Sequence, residues 1–264
     1  MSKTIPLFIF FLSSFCFSQD QKIIASLISD EKLKAETILG YDSLGNLYFV
    51  DQGILFKKNN NELHQYKNLS LGKLSRVDFI NPLNVLLFYE NFNTVIFLDN
   101  QFNEIQKINL SESLPSLAIT ALGNASQNRL WIYDQLNQQI SLYSYLKNAP
   151  QTITPSAIGN IVYYQTQFNT FQWVDHNSNW YTCDVYGKIT NNGKVSPFNQ
   201  IQLLPNNYVI ISFEGKLQIQ EVKKHVFYNI ENIPKSIHKF YYKDQILSIF
   251  TDEGVTNYKI KIPN

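Results

Sequence analysis

The chain has 264 residues, of which 44% are hydrophobic and 14% aromatic, enough to form the core of one large all-β domain or two small ones. Charged residues make up 16% and the formal net charge is +1, so no global field attracts nucleic acid or an anionic membrane. The chain has two arginines, Arg76 and Arg129, which argues against nucleic acid as a partner and against a site built on an arginine cluster.

The first residues, MSKTIPLFIFFLSSFCFSQDQ, follow the order of an export signal. Lys3 gives a positive start, and residues 5–17 form an apolar stretch that is too short to span a bilayer. Cys16 and Ser18 are small residues at the positions that precede a cleavage site before Gln19. We therefore predict a signal peptide over 1–18 and a single mature domain over 19–264. The alternative, a buried N-terminal strand, does not require this order.

The two cysteines have separate interpretations. Cys16 raises the alternative of a lipoprotein, but a lipid-modified cysteine normally follows a small residue and Phe15 precedes this one, so the pattern disfavours it. Removal of 1–18 leaves Cys183 as the one cysteine, which excludes an intramolecular disulfide and predicts a small hydrophobic strand residue. No other segment is apolar and long enough to span a membrane, so we expect no integral span after signal cleavage.

A short phrase, two apolar runs joined by an acid-bearing turn, recurs along the chain at intervals of 38 to 44 residues. The acids that end the first run of each phrase are Asp51, Glu90, Asp134, Asp175, Glu214 and Asp252. Apolar residues in these runs alternate with a period of two, as in Leu47 and Phe49, which is typical of strands and not of helical repeats. A period of about 40 residues with several short strands per unit predicts an all-β, six-bladed β-propeller.

The strands of the six blades can be assigned in chain order. We predict blade one over 35–42, 45–52, 53–58 and 62–69; blade two over 73–80, 84–91, 94–99 and 103–110; blade three over 115–122, 129–134, 138–145 and 149–155; blade four over 159–168, 170–175, 179–186 and 187–195; blade five over 198–204, 207–213, 215–221 and 224–230; and blade six over 235–243, 245–251 and 254–262.

Blade six has three strands in this assignment, while the segment KIIASLI at 22–28 precedes blade one and is unused. Pairing the two would close the ring and remove an exposed sheet edge. We therefore predict that an N-terminal strand at about 22–28 completes the last blade. The alternative is a short amphipathic helix over 22–34, because Ile24, Leu27 and Ile28 also have helical spacing.

The stretch DSLGNLYFVDQGILFK resembles the repeats of exported bacterial β-propellers of the NHL and two-component-regulator type, in which a Gly-Asn-Leu-Tyr strand precedes an acid–Gly turn and a second strand. With the export signal and the frequent Asn and Lys, the chain is similar to envelope proteins of the Bacteroidota. This resemblance implies a scaffold in the cell envelope. The Ser-x-Asp-x-Gly-x-x-Trp box of sialidases, WD40 endings and the repeated tryptophan motifs of quinone-dependent propellers are absent.

No motif in the sequence indicates a catalytic, cofactor or metal site. The four histidines fall in different blades without ligand spacing, and nucleotide-binding and hydrolase motifs are absent. We predict no catalytic residues, no cofactor and no metal, and a structural role in turns for the recurring acids. Asp78, Asn81 and Glu90 are conceivable members of an active site assembled at the channel from several blades, which sequence spacing cannot reveal.

Aromatic residues are dense in the irregular region 146–181. Aromatics in strands usually fill the space between blades, but exposed ones act as anchors for a protein or glycan partner. The candidate interaction surface consists of Tyr163, Tyr164, Trp173, Trp180 and Tyr181.

The sequence thus predicts an exported, non-enzymatic β-propeller that acts as a protein-interaction scaffold in the cell envelope, in the periplasm or outside the cell. The expected partner is another envelope protein. Two alternatives stay open, because one fold hosts many functions. One is a propeller hydrolase or lyase that acts on a lactone or glycan, and the other is a module that binds a glycan or small molecule.

Overall fold

A computed structural model describes residues 21–59, 61–234 and 236–263 and contains six sheets arranged as a ring of blades. This confirms the predicted six-bladed β-propeller. The predicted signal peptide lies outside the described residues and stays a prediction. No helix in the described ranges has the length and hydropathy that crossing a bilayer requires.

The strands are numbered in chain order. The segment before blade one contains β1 (Gln21–Ile24) and β2 (Ser26–Lys32). Blade one consists of β3 (Thr37–Tyr41), β4 (Leu47–Asp51), β5 (Ile54–Lys58) and β6 (Leu63–Tyr66). Blade two consists of β7 (Arg76–Asp78), β8 (Val85–Tyr89), β9 (Thr94–Leu98) and β10 (Glu104–Asn109). Blade three consists of β11 (Ile119–Ala125), β12 (Arg129–Asp134), β13 (Gln139–Ser144) and β14 (Ala149–Thr152).

Blade four consists of β15 (Ile161–Gln167), β16 (Thr170–Asp175), β17 (Asn179–Asp184) and β18 (Ile189–Lys194). Blade five consists of β19 (Gln200–Leu203), β20 (Tyr208–Phe213), β21 (Lys216–Glu221) and β22 (Val226–Glu231). Blade six consists of β23 (Lys239–Lys243), β24 (Ile246–Thr251), β25 (Gly254–Lys259) and β2. The described helical segments are one α-turn, α1 (Leu110–Ser113), and two 3₁₀ turns, Glu90–Phe92 and Pro205–Asn207.

The middle strands of a blade are covered on both faces by the neighbouring blades, and their sequences show it. All five residues of β8 and all five of β9 are buried, and eight of these ten are aliphatic or phenylalanine. The outer strand β6 instead alternates between exposed and half-buried residues, as expected for a strand with one covered face. Six apolar clusters of the described residues fill the spaces within and between blades.

The N-terminal segment closes the ring through two blades. β2 pairs antiparallel with β25 and completes blade six, as predicted, and β1 pairs in parallel with β22 as a fifth strand of blade five. The predicted single strand at 22–28 is therefore divided at Ala25, whose amide donates to the Glu231 carbonyl at 3.1 Å. Ile23 and Ala25 are buried in the apolar cluster that blades five and six share, so the N-terminal segment runs along both blades. The alternative of a helix over 22–34 is wrong.

The inner strands β3, β7, β11, β15, β19 and β23 each begin their blade. In a propeller they run side by side along the central channel, all in one direction. We call the face at which they begin the start face and the face at which they finish the end face. The first residues of the inner strands thus lie together near the start face, although their sequence positions are about 40 residues apart.

Candidate functional site: the central channel

The inner strands enclose a cavity of about 1760 Å³ along the axis of the ring. Five of the six inner strands contribute to its walls, while β11 packs tightly against β15. Gly123 of β11 permits this approach, because a Cβ atom there would lie 2.1 Å from the Thr166 hydroxyl oxygen. The walls combine aromatic rings, amides and charges from Tyr41, Asp42, Arg76, Asp78, Phe79, Tyr163, Gln165, Phe198, Gln202, Lys239, Tyr241 and Lys243.

Two glutamines join neighbouring inner strands. The Gln165 amide donates to the Leu203 carbonyl at 3.0 Å, and its oxygen accepts the Leu203 N–H at 3.2 Å. Gln202 makes the same pair of bonds with Tyr242, at 2.6 and 2.7 Å. An inner strand is the edge of its sheet, so its channel-side backbone groups need partners. Each glutamine side chain donates one hydrogen bond and accepts one. It therefore makes the two bonds that the backbone of a neighbouring strand would make in a continuous sheet.

Other side chains continue these links around the ring. The Tyr241 hydroxyl donates to the Tyr41 carbonyl at 3.0 Å, which joins blade six to blade one. The Tyr164 hydroxyl oxygen accepts the Leu122 N–H at 3.2 Å, which joins blade four to blade three. The Asp78 carboxylate accepts the Asn124 N–H at 2.7 Å, which joins blade two to blade three. These polar side chains of the inner strands therefore have structural partners.

Arg76 has few partners for a buried guanidinium. Its Cζ lies 4.2 Å from the centre of the Tyr164 ring, a cation–π contact, and its Nη2 donates to Thr166 Oγ1 at 3.3 Å. Its Nε is shielded from solvent and has no hydrogen-bond acceptor among the described residues. Burial acts to lower the pKa of Arg76, but electrostatic interactions with Tyr164 and Asp78 outweigh it, so the pKa is raised and the side chain stays charged.

Three further titratable groups in the channel are affected by burial. Burial raises the pKa of Tyr163 to about 12 and that of Tyr241 to about 12, so both hydroxyls stay protonated at neutral pH. Burial lowers the pKa of the Lys239 ammonium, and within the described ranges this ammonium makes no hydrogen bond or ion pair. The start half of the channel thus contains two cations, Arg76 and Lys239, that no carboxylate contacts.

The acids of the turns have structural roles at several positions. In a recurring Asp-x-x-x-Asn arrangement, one carboxylate oxygen accepts the N–H groups two and four residues later, and the other accepts the asparagine amide, all at 2.8 to 3.0 Å. This arrangement occurs at Asp42 with Asn46, at Asp99 with Asn103, and at Asp175 with Asn179. Asp134 also accepts two backbone N–H groups.

The conceivable active-site members do not come together. Asp78 lines the channel, Glu90 lines a separate pocket of about 320 Å³, and Asn81 lies in a turn where its side chain accepts the Leu83 N–H. In the part of the chain that the structure describes, no three His, Cys, Asp or Glu side chains are close enough to hold a metal ion.

The structure disperses the five aromatics of the candidate interaction surface. Trp173 is 1% exposed between blades three and four, with Tyr181 stacked on it, and Trp180 is 3% exposed between blades four and five. A partner could reach these indoles only by opening the core. Tyr163 lines the channel and Tyr164 lines the smaller pocket. The role of the five residues as an interaction surface stays a prediction.

Sequence reasoning did not single out Arg76, Gln165 or Gln202. The partners of Arg76 and of both glutamines lie 38 to 90 positions away in the chain. The available signal was their position in the first strand of a blade, which lines the channel.

Solved β-propellers match most of the chain at low identity. A member of the DUF4221 family from Bacteroides vulgatus has a TM-score of 0.58 and 8% identity, over 93% of this chain and 98% of its own. Virginiamycin B lyase from Staphylococcus aureus has a TM-score of 0.56 and 11% identity, over 86% and 80%. YCF48, in a structure with a bound D1 peptide, has a TM-score of 0.56 and 12% identity, over 90% and 99%.

No protein-family model matches the chain, and no curated protein does. Identities of 8 to 12% show a common fold and no common activity. The chain is therefore a β-propeller whose function must be inferred from its own surface and channel.

Proposed function

We propose that this chain is an exported, non-enzymatic β-propeller that acts as a protein-interaction scaffold in the cell envelope and binds another envelope protein. The signal-peptide pattern of residues 1–18 supports export to the periplasm or beyond. The structure of YCF48 with a D1 peptide is an example of a propeller that holds a peptide segment.

The observation that carries this proposal is an apolar patch on the outer rim, which we call the N-terminal edge. It consists of Ile24, Leu27 and Ile28, whose side chains are 55%, 65% and 51% exposed. The other outer strands that the structure describes carry at most one large exposed apolar residue each, such as Leu63 of β6 and Ile105 of β10. A cluster of three within five residues is unusual on this rim and marks an interaction site.

The backbone of the N-terminal edge is also open. β1 and β2 are the last strands of their sheets, so each has a hydrogen-bonded neighbour on one side. The register of β2 shifts between Leu27 and Ser29, which places Ile28 in a bulge. A segment of a partner in extended conformation would pair with the free backbone groups and cover the three apolar side chains, as in β-strand addition. We assign this role to an apolar, extended segment of an envelope protein.

The non-enzymatic part of the proposal is supported by how two of the channel carboxylates, Asp42 and Asp78, are used. Asp42 accepts four hydrogen bonds and Asp78 accepts three from backbone and side-chain donors. A carboxylate in this setting is held in place by the fold and is poorly suited to exchange protons with a substrate. The lyase among the structural matches shares the fold at 11% identity and adds no argument for the same reaction.

Site-specific photocrosslinking in intact cells tests the N-terminal edge. A photoreactive residue at Leu27 should form a crosslink to one envelope protein, whereas the same residue at Leu136, which is 74% exposed in a turn, should not. With that partner purified, the double variant Leu27→Lys, Ile28→Lys should bind at least ~10-fold more weakly, and Leu136→Lys should bind as the parent does. No specific crosslink at Leu27, or equal affinity of the double variant, would contradict the proposal.

A further inference from the structure

The start half of the channel contains a built arginine site that the scaffold role does not use. Arg76 and Lys239 are the first residues of the inner strands β7 and β23, so both lie toward the start face. Neither forms an ion pair in the described part of the chain, and both line the same cavity. We propose that this half of the channel binds an organic carboxylate with an aromatic or apolar body, and that Arg76 is its anchor.

An unused hydrogen-bond donor of Arg76 indicates that an anion binds there. A guanidinium has five N–H donors; Nη2 donates to Thr166 Oγ1, while Nε is shielded from solvent and has no acceptor among the described residues. An unbonded donor that is removed from water, as this Nε is, costs about 1–3 kcal/mol, and more for a charged group. A carboxylate would supply two acceptor oxygens in the planar geometry that a guanidinium matches.

The position of Arg76 is fixed before any ligand arrives. Its guanidinium stacks on the Tyr164 ring, whose hydroxyl contacts the backbone of Leu122 in the next blade. Its other contact, Thr166, donates to the buried Asp78 carboxylate at 3.3 Å and packs against Gly123. A preorganised cation loses little conformational entropy on binding, which favours affinity.

The surrounding charges favour a monoanion over a phosphate dianion. Asp78 is close enough to Arg76 to affect its pKa, and it cancels part of the positive field. Its carboxylate is occupied by the N–H groups of Ile80 and Asn124 and by Thr166, so it does not pair with the guanidinium directly. Arg76, the more distant Lys239 and the carboxylate that acts on Arg76 together match a single negative charge, and the other charged residues of the cavity wall are of both signs: Asp42, Glu221, Lys224, Lys243, Asp244 and Lys261.

Aromatic rings line the same cavity. Tyr163 and Phe198, near the beginnings of β15 and β19, meet edge to face with ring centres 6.5 Å apart; Phe79, which follows the last residue of β7, and Tyr241 form a second pair at 6.5 Å. All four rings line the cavity. Apolar and aromatic walls with a few placed polar groups are typical of small-molecule sites. The ligand body should therefore be an aromatic or apolar group that contacts these rings.

Calorimetric titration of the mature chain with 4-hydroxyphenylacetate tests the site, with the neutral 4-hydroxyphenylacetamide as the matched ligand. The acid should bind at least ~10-fold more tightly than the amide, as a charge-assisted bond predicts. Arg76→Gln should abolish this preference. Arg129→Gln is the matched control, because Arg129 bonds to Ser126 on the same turn and does not line the channel.

A second variant keeps the proposal testable if Arg76→Gln does not fold. Lys239→Gln should fold, since the Lys239 ammonium has no described partner to lose. It should lower the affinity for the acid by about 3-fold, because it removes a charge that is more distant than Arg76. The proposal is overturned if the acid does not bind the parent at millimolar concentration, if acid and amide bind equally, if inorganic phosphate binds more tightly than the acid, or if folded Arg76→Gln keeps the preference. These results are independent of the N-terminal edge, which lies on the outer rim.

Discussion

The thiol of Cys183 lies in the apolar cluster between blades three and four, at 0% exposure, beside Phe171 and Trp173. Burial raises its pKa to about 12, with a smaller contribution from the charge of Asp184. A thiol reacts as the thiolate, so both effects make this cysteine inert. Its predicted role as a small hydrophobic strand residue agrees with this position.

Alkylation should distinguish the folded from the unfolded thiol. With iodoacetamide at pH 8, Cys183 should stay unmodified in the folded chain, because the folded pKa of about 12 leaves almost no thiolate at that pH. The same reagent should modify it completely in guanidinium chloride, where the pKa returns to about 8.5. Mass spectrometry of the intact chain measures both. Labelling of the folded chain at the unfolded rate would show that the cluster opens easily.

Arg76 shows the limit of prediction for a single residue. With two arginines in the chain, the sequence argued against a site built on an arginine cluster. It also gave no reason to expect one arginine in a closed site, because the contacts that build the site join Arg76 to Thr166 across 90 positions. Contacts between blades form only when the six blades close into a ring, and no local sequence pattern encodes these contacts.

At the scale of one element, the inner strand is an unpaired sheet edge that the channel glutamines complete. Gln202 serves both backbone groups of Tyr242, so truncation would leave a shielded N–H and C=O without partners. Gln202→Ala should lower the free energy of unfolding by about 2–4 kcal/mol, from two unsatisfied groups. Urea denaturation measures this change. The exposed Gln101 in a turn provides the control, and Gln101→Ala should change stability by less than about 0.5 kcal/mol.

An equal effect of the two alanine variants would contradict this role and would indicate that water enters the channel and replaces the glutamine. The result is informative for the arginine site as well. A wet channel would reduce the cost of the unbonded Arg76 donor and would weaken the argument for a carboxylate ligand.

Elements were the scale at which the sequence was most informative. The period of about 40 residues and the alternation of apolar residues placed each described strand of the blades within a few positions of its observed bounds. The N-terminal segment was the exception, since 22–28 was predicted as one strand of blade six. A single sequence shows that Ile23 and Ala25 are apolar, but not that one segment is shared by two sheets.

At the scale of the whole molecule, the sequence repeat predicts the closed ring. The N-terminal edge and the channel exist because the ring closes. The two candidate sites are on different surfaces: one on the outer rim at the seam of blades five and six, the other on the axis. A scaffold could therefore hold a protein and a small acid at once. Linkage requires any effect of one on the other to be reciprocal.

Alkaline pH should weaken the whole ring, because buried tyrosines are spread around it. Burial raises the pKa of Tyr89 in blade two, Tyr163 in blade four and Tyr241 in blade six to about 12 in each case. In the unfolded chain these phenols ionise near pH 10. Between about pH 10 and 12 the folded state therefore binds more protons than the unfolded state, and the free energy of unfolding must fall as pH rises.

Lys57 and Lys239 act with the opposite sign, since their lowered folded pKa makes the unfolded state bind the extra proton, but two lysines oppose a larger number of buried tyrosines. Urea denaturation should thus give a constant contribution from the buried tyrosines up to about pH 9 and a steady decline in the free energy of unfolding above pH 10. Tyr163→Phe should make the decline shallower, because it removes one of the buried phenols. A free energy of unfolding that does not change from pH 8 to 11.5 would show that the phenols reach solvent, and the channel would then be open to water along its length.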